Sequence, residues 1–223
     1  MPYPTKNILL LVATALLLTL GKAGYARNYD VEMIIFEHVR NTSVGSSSTY
    51  LYPVVTGARR IPVDTTEANA PLQPLPQLRL TEDAEKIRQS GNHRLLYHGG
   101  WRQTDFDKEN APFMSIALGE RREVYVEPAG PDSNYQRAFR QPPLNLDQNL
   151  QPKNIYQLFG GVKVWVGRFL HFDTRLAYTP PNGQVSYKFE SERRMRSRRM
   201  HYIDHSRVGI LVKIFPVDEI APN

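Results

Sequence analysis

Val162-Lys163-Val164-Trp165-Val166-Gly167-Arg168-Phe169-Leu170-His171-Phe172-Asp173-Thr174-Arg175-Leu176-Ala177-Tyr178 decides the fold class. Its even positions read Val162, Val164, Val166, Leu170, Phe172, Leu176 and Tyr178, and its odd positions include Lys163, His171, Asp173 and Arg175. A period of two held over such a run marks a half-buried β-strand. Pro180-Pro181-Asn182-Gly183 then reads as a turn. Beyond it the alternation resumes, with Val185, Tyr187 and Phe189 against Gln184, Lys188 and Glu190, so the two runs together predict a long β-hairpin.

Working outward, Arg207 to Phe215 predicts a final strand, with Val208, Ile210, Val212 and Ile214 on one face. Near the other end, Tyr29 to Glu37 carries Val31, Met33 and Ile35 on one face and Ile34 and Phe36 on the other. Apolar residues on both faces predict an inner strand of a covered sheet. His93 to Gln103 predicts another strand, in which Gly99-Gly100 allows a bulge or a close backbone approach. Phe113 to Leu118 and Glu123 to Glu127 are two weaker, shorter candidates. Thr81-Glu82-Asp83-Ala84 reads as an N-cap with acids in the first turn of a helix running to about Gln89, with Gly91 placed to end it. Two segments, 40–79 and 130–152, are rich in Pro, Ser, Asn and Gln and predict irregular excursions or linkers. The expected class is α+β: a mainly antiparallel sheet with a long C-terminal β-hairpin and one or two short helices.

The amino terminus predicts an address. Lys6 precedes an apolar run from Ile8 to Leu20, and Gly24-Tyr25-Ala26 places small residues where signal peptidase needs them. Thirteen residues at about 1.5 Å each fall short of a bilayer core of about 30 Å. The expectation is a signal peptide over 1–26, cleaved after Ala26, and a single periplasmic domain over 27–223. No other apolar stretch is long enough to span a membrane. Loss of Lys6 and Lys22 lowers the net charge of the 223-residue chain from +6 to +4. The chain has no cysteine, which excludes disulfides, a thiolate zinc site, a cysteine nucleophile and a lipidated amino terminus. A basic exported protein is expected to meet an anionic envelope polymer, such as peptidoglycan with its stem-peptide carboxylates, rather than nucleic acid.

Three features could carry function. Arg193, Arg194, Arg196, Arg198 and Arg199 lie within seven positions. On a strand, Arg194, Arg196 and Arg198 would form a row about 7 Å apart, able to grip carboxylates or phosphates with paired donors. The bland alternative is a solvated arm paired with Glu190 and Glu192. His201-Tyr202-Ile203-Asp204-His205 invites a metal or hydrolase reading of His201, Asp204 and His205. The alternative is that these side chains satisfy backbone groups before the last strand. Trp101, and Trp165 with Phe169, could stack on sugar rings, or Trp101 and Trp165 could simply pack in the core. No phosphate-binding Gly-rich loop, nucleophile elbow or recognisable carboxylate pair is present. No cofactor, metal ligand set or catalytic group is assigned.

Tyr29-Asp30-Val31-Glu32-Met33-Ile34-Ile35-Phe36-Glu37, Tyr97-His98-Gly99-Gly100-Trp101-Arg102-Gln103, Gly161-Val162-Lys163-Val164, Gly167-Arg168-Phe169-Leu170-His171-Phe172, Arg193-Arg194-Met195-Arg196-Ser197, the His201-to-His205 block and Gly209-Ile210-Leu211-Val212 occur in this order. The pattern resembles the CsiV family of periplasmic peptidoglycan-binding proteins of Gram-negative bacteria. The resemblance is strongest over 161–215 and absent from the two Pro-rich segments. It implies a non-enzymatic accessory factor of cell-wall synthesis that binds murein. It also implies action with an outer-membrane lipoprotein activator of a class A penicillin-binding protein. It transfers no binding residues, so Arg194, Arg196, Arg198, Trp101, Trp165, His201, Tyr202 and His205 stand as candidates read from the residues alone. The open alternatives are a protein–protein adaptor without murein binding, and a murein hydrolase.

Overall fold

A computed structural model describes residues 27–39, 50–62, 71–128, 130, 133–141, 149–181, 183 and 185–217. The predicted leader lies outside them. Eleven strands and one helix are present among the described residues: β1 Asn28–His38, β2 Tyr50–Pro53, β3 Leu72–Pro74, α1 Thr81–Gln89, β4 His93–Thr104, β5 Met114–Val126, β6 Tyr135–Phe139, β7 Gln151–Val166, β8 Leu170–Tyr178, β9 Tyr187–Met195, β10 Met200–Asp204 and β11 Val208–Val217. They form a five-stranded sheet ordered β10-β11-β1-β4-β3 and a six-stranded sheet ordered β2-β6-β5-β7-β8-β9, with every strand pair antiparallel. The expected α+β class holds. No helix among the described residues is long and apolar enough to cross a membrane.

β1 is an inner strand, flanked by β11 and β4. Its odd face (Val31, Met33, Ile35) joins Ile210, Val212 and Ile214 of β11 in one buried cluster with Met114, Val162, Phe172 and Leu176 of the six-stranded sheet. The two sheets therefore bury their apolar faces against each other. The even face of β1 puts Ile34 and Phe36 under α1, against Leu80 and Ala84. This double coverage is why β1 is apolar on both sides.

On that same even face β1 buries Asp30 and Glu32, and both carboxylates are occupied. Arg102, directly across from Asp30 on β4, grips it with Nε at 2.6 Å and Nη2 at 3.2 Å, and Arg79 Nη2 adds a bond at 3.1 Å. Glu32 accepts the backbone N–H groups of Arg79 and Leu80 at 2.8 Å each, and His98 Nε2 at 2.8 Å. The carboxylate thus caps α1 from outside the helix. Thr81, the expected N-cap, is the first helical residue. The cap position belongs to Leu80, which has no capping side chain of its own.

Several expectations need correction. The run Val162–Tyr178 is not one strand: Gly167-Arg168-Phe169 turns β7 into β8, pairing Val166 with Leu170. A three-residue loop preserves the parity of the alternation, so the break leaves no mark in the hydrophobic pattern. The hairpin around Pro180–Gly183 is present as β8–β9. The two weak candidates at 113–127 form one strand, β5, interrupted by a register shift between Leu118 and Arg121 where Gly119 adopts φ +80°. On β4 the bulge falls at Leu96, skipped between Tyr97 and Leu95 in the pairing with β1. Gly100 is the close approach, since a Cβ there would stand 1.9 Å from Val31 O. The Pro-rich segments are not wholly irregular. β2 and β3 come from 40–79, and β6 with the first residues of β7 from 130–152. β2 and β3 are sheet edges that end in Pro53 and Pro74, positions where a missing N–H is tolerated.

Candidate functional site

β9 closes one edge of the six-stranded sheet and β10 one edge of the five-stranded sheet. The link between them, Arg196-Ser197-Arg198-Arg199, passes from one sheet to the other. The β7–β8 turn, the start of β1 and the end of β11 come to the same end of the molecule. Arg27, Tyr29, Val166, Gly167, Arg168, Phe169, Leu170, Met195, Arg196, Ser197, Arg199 and Pro216 line a pocket of about 500 Å³ there. Four of these are arginines and none is acidic. Among the described residues none of the four arginines is in an ion pair.

The pocket is built from the core outward. Tyr29, Leu170 and Met195 are buried and give it an apolar floor. Phe169 stands at the turn with 42% of its surface exposed. Two guanidinium groups lie over its ring, Arg194 at 4.4 Å and Arg168 at 5.5 Å from the centroid. Such stacking holds a guanidinium in place while leaving its edge donors free to bind. Four lining arginines beside an apolar floor, with no acidic residue among the lining, attract a ligand that carries carboxylates or phosphates. Each fork can give two parallel, charge-assisted hydrogen bonds.

The sequence candidates divide. Arg196 lines the pocket and Arg194 flanks it through Phe169. The expected row of Arg194, Arg196 and Arg198 on one strand face is corrected, because β9 ends at Met195. Arg198 turns in the left-handed region at φ 62°, with its N–H donated to Ile214 O at 2.7 Å, and is not among the lining residues. The turn places Arg199, in place of Arg198, in the pocket lining with Arg196.

Trp101 is fully buried, so the stacking role considered for it is corrected to a core role. Its indole N–H donates to Gln103 Oε1 at 2.7 Å, and Gln103 Nε2 donates to Val164 O at 3.1 Å, tying the two sheets together. Trp165 is already stacked: the His171 imidazole lies on it with centroids 3.7 Å apart, Lys108 Nζ sits 5.0 Å above the ring, and Nε1 donates to Asp173 Oδ2 at 3.1 Å. Burial, ahead of the nearby Glu192 charge, raises Asp173 above the ordinary carboxylate range.

His201, Asp204 and His205 do not form one centre. His201 Nε2 accepts the Arg196 N–H at 3.0 Å, which braces the arginine turn. Tyr202 is 45% exposed on the outer face of the five-stranded sheet, stacked near Phe36, and its hydroxyl donates to Asp204 Oδ1 at 2.6 Å. His205 stacks on Phe189 at 4.9 Å and accepts the Arg207 N–H at 3.3 Å. Burial pushes its imidazole below the ordinary value of 6.5. Among the described residues no group of three His, Asp or Glu side chains is placed to hold a metal ion.

Arg27 and Arg168 are the pocket arginines that residue reading did not single out, and Phe169 was considered only for sugar stacking beside Trp165. The available signal was Phe169 at an outward position of an alternating run, directly after an arginine.

No curated protein and no solved structure matches the chain. A family model described as "Peptidoglycan-binding protein, CsiV" matches residues 7–217, nearly the whole length, and the chain accordingly belongs to the CsiV family of peptidoglycan-binding proteins.

Proposed function

We propose that the protein is a periplasmic accessory factor of cell-wall synthesis that holds murein through stem-peptide carboxylates in the arginine pocket. One observation carries this reading: four arginines, with no acidic residue among them, line a cavity with an apolar floor at the joined end of the two sheets. Peptidoglycan offers what such a cavity lacks, namely free carboxylates on short peptides with apolar alanine methyl groups. The family supports murein as the ligand. The leader sequence supports export to the periplasm, where the mature 27–223 acts as one domain without catalysis. Action with an outer-membrane lipoprotein activator of a penicillin-binding protein completes the reading, and rests on the family likeness alone.

The test is co-sedimentation of the purified protein with sacculi. A charge-assisted hydrogen bond is worth about 1.5–3 kcal/mol, and about 1.4 kcal/mol is tenfold in affinity. Arg168→Glu with Arg196→Glu is therefore expected to weaken retention at least tenfold, and to reduce its dependence on salt. A wild-type protein left in the supernatant would end the murein reading in favour of a protein partner. Unchanged retention in the double variant would move the site elsewhere.

A further inference from the structure

Arg27 combines two independent observations. It follows the Gly24-Tyr25-Ala26 junction at which the leader is predicted to be cut, and it lines the arginine pocket. The first comes from small residues in the sequence, the second from packing of the start of β1 beside two turns. The next residue, Asn28, is already fixed in β1, paired with Val217 on one side and Thr104 on the other. The backbone nitrogen of Arg27 is one bond from the Cα of a lining residue, and the chain beyond it is held in register.

We propose that leader removal completes this pocket, and that the mature α-amino group is itself part of the carboxylate site. Water cleaves the Ala26–Arg27 amide. The hydroxyl goes to the Ala26 carbonyl carbon, a proton goes to the Arg27 nitrogen, and a second proton from solvent makes the ammonium. Before cleavage that nitrogen is a neutral amide with one N–H. Afterwards it is a cation with three donors, its usual pKa of about 7.7–8.0 keeping it mostly charged at neutral pH. The pocket then presents five positive groups: the α-ammonium with Arg27, Arg168, Arg196 and Arg199. Full affinity for murein thus arises only after export. The inference rests on the reading of the pocket as a murein-carboxylate site.

The experiment uses protein exported by a Gram-negative host and purified from its periplasm, with the mature start read by intact mass. Three forms are compared by sacculus co-sedimentation: the natural one, one with Gly-Ser-Gly inserted between Ala26 and Arg27, and Arg168→Glu/Arg196→Glu. The insertion carries the amine about 10 Å away along an extended chain. Loss of one close charge-assisted contact predicts at least about tenfold weaker binding for the inserted form. Natural protein whose α-amine has been acetylated after folding should weaken equally, which frees the result from any effect of the insertion on folding. If the inserted and acetylated forms bind like the natural one while the arginine variant fails, the inference is overturned and the pocket reading stands. If the arginine variant binds normally, the pocket reading falls and takes the inference with it. A mature start other than Arg27 overturns the inference alone.

Discussion

Trp101 lies opposite Val31 on the inner face of the five-stranded sheet, and its indole reaches the other sheet through Gln103 and the Val164 carbonyl. A tryptophan so placed stabilises the fold and cannot touch a ligand. Truncating a buried aromatic side chain leaves a cavity and costs about 3–5 kcal/mol. Trp101→Ala is expected to lose that much unfolding free energy in a denaturant titration, while whatever remains folded still sediments with sacculi. Loss of sedimentation at unchanged stability would make Trp101 a ligand contact after all. The residue Trp-Arg-Gln context showed an aromatic with polar neighbours but not which way it faced. That depends on the pairing of β4 with β1, a long-range fact. Arg196 was legible as a candidate because arginine density is visible locally. Arg27 and Arg168 were not, since nothing local brings residues 27, 168 and 196 to one cavity.

At the scale of elements, β1, α1, β4 and β11 were legible almost to the residue, because each is a short apolar pattern with clear punctuation. The β7–β8 turn was hidden by arithmetic: an odd loop leaves even positions facing inward on both sides. β2, β3 and β6 were hidden by composition. Short strands need few apolar residues, and β2 and β3, at sheet edges, also accept proline, so all three read as loops. The cap of α1 was hidden for another reason, since its acceptor comes from Glu32, 48 residues before Leu80. Glu32→Gln keeps the shape but removes the charge facing two backbone N–H groups and His98. The expected loss is about 1–3 kcal/mol, the usual cost of a buried hydrogen-bonding group left badly partnered. It is measurable as reduced unfolding free energy together with faster amide exchange over 81–89.

For the whole molecule, the inner faces of both sheets share one core, and the arginine pocket sits where those sheets are joined. His205 stands at that scale too, since it precedes β11 in one sheet and stacks on Phe189 in the other. Burial lowers its pKa below the unfolded value of 6.5, so in this window the unfolded chain binds the proton more readily. Its contribution to stability is complete above about 6.5 and is lost as the pH falls below that value and through the lower folded pKa. His93 is shifted in the same direction, by burial and then by His38. His205→Phe keeps a ring against Phe189 and removes one titrating site. Its unfolding free energy should fall less between pH 7 and pH 5 than that of the natural protein, as read from denaturant titrations at each pH.

The central claim is that murein is held at the joined end of the sheets. Amide NMR of the mature protein, titrated with soluble muropeptides that keep their stem-peptide carboxylates, tests it most directly. The account predicts saturable shifts concentrated at 27–29, 166–170 and 195–199, and their disappearance in Arg168→Glu/Arg196→Glu. Saturable shifts confined to other parts of the molecule, with those three segments unmoved, would contradict it.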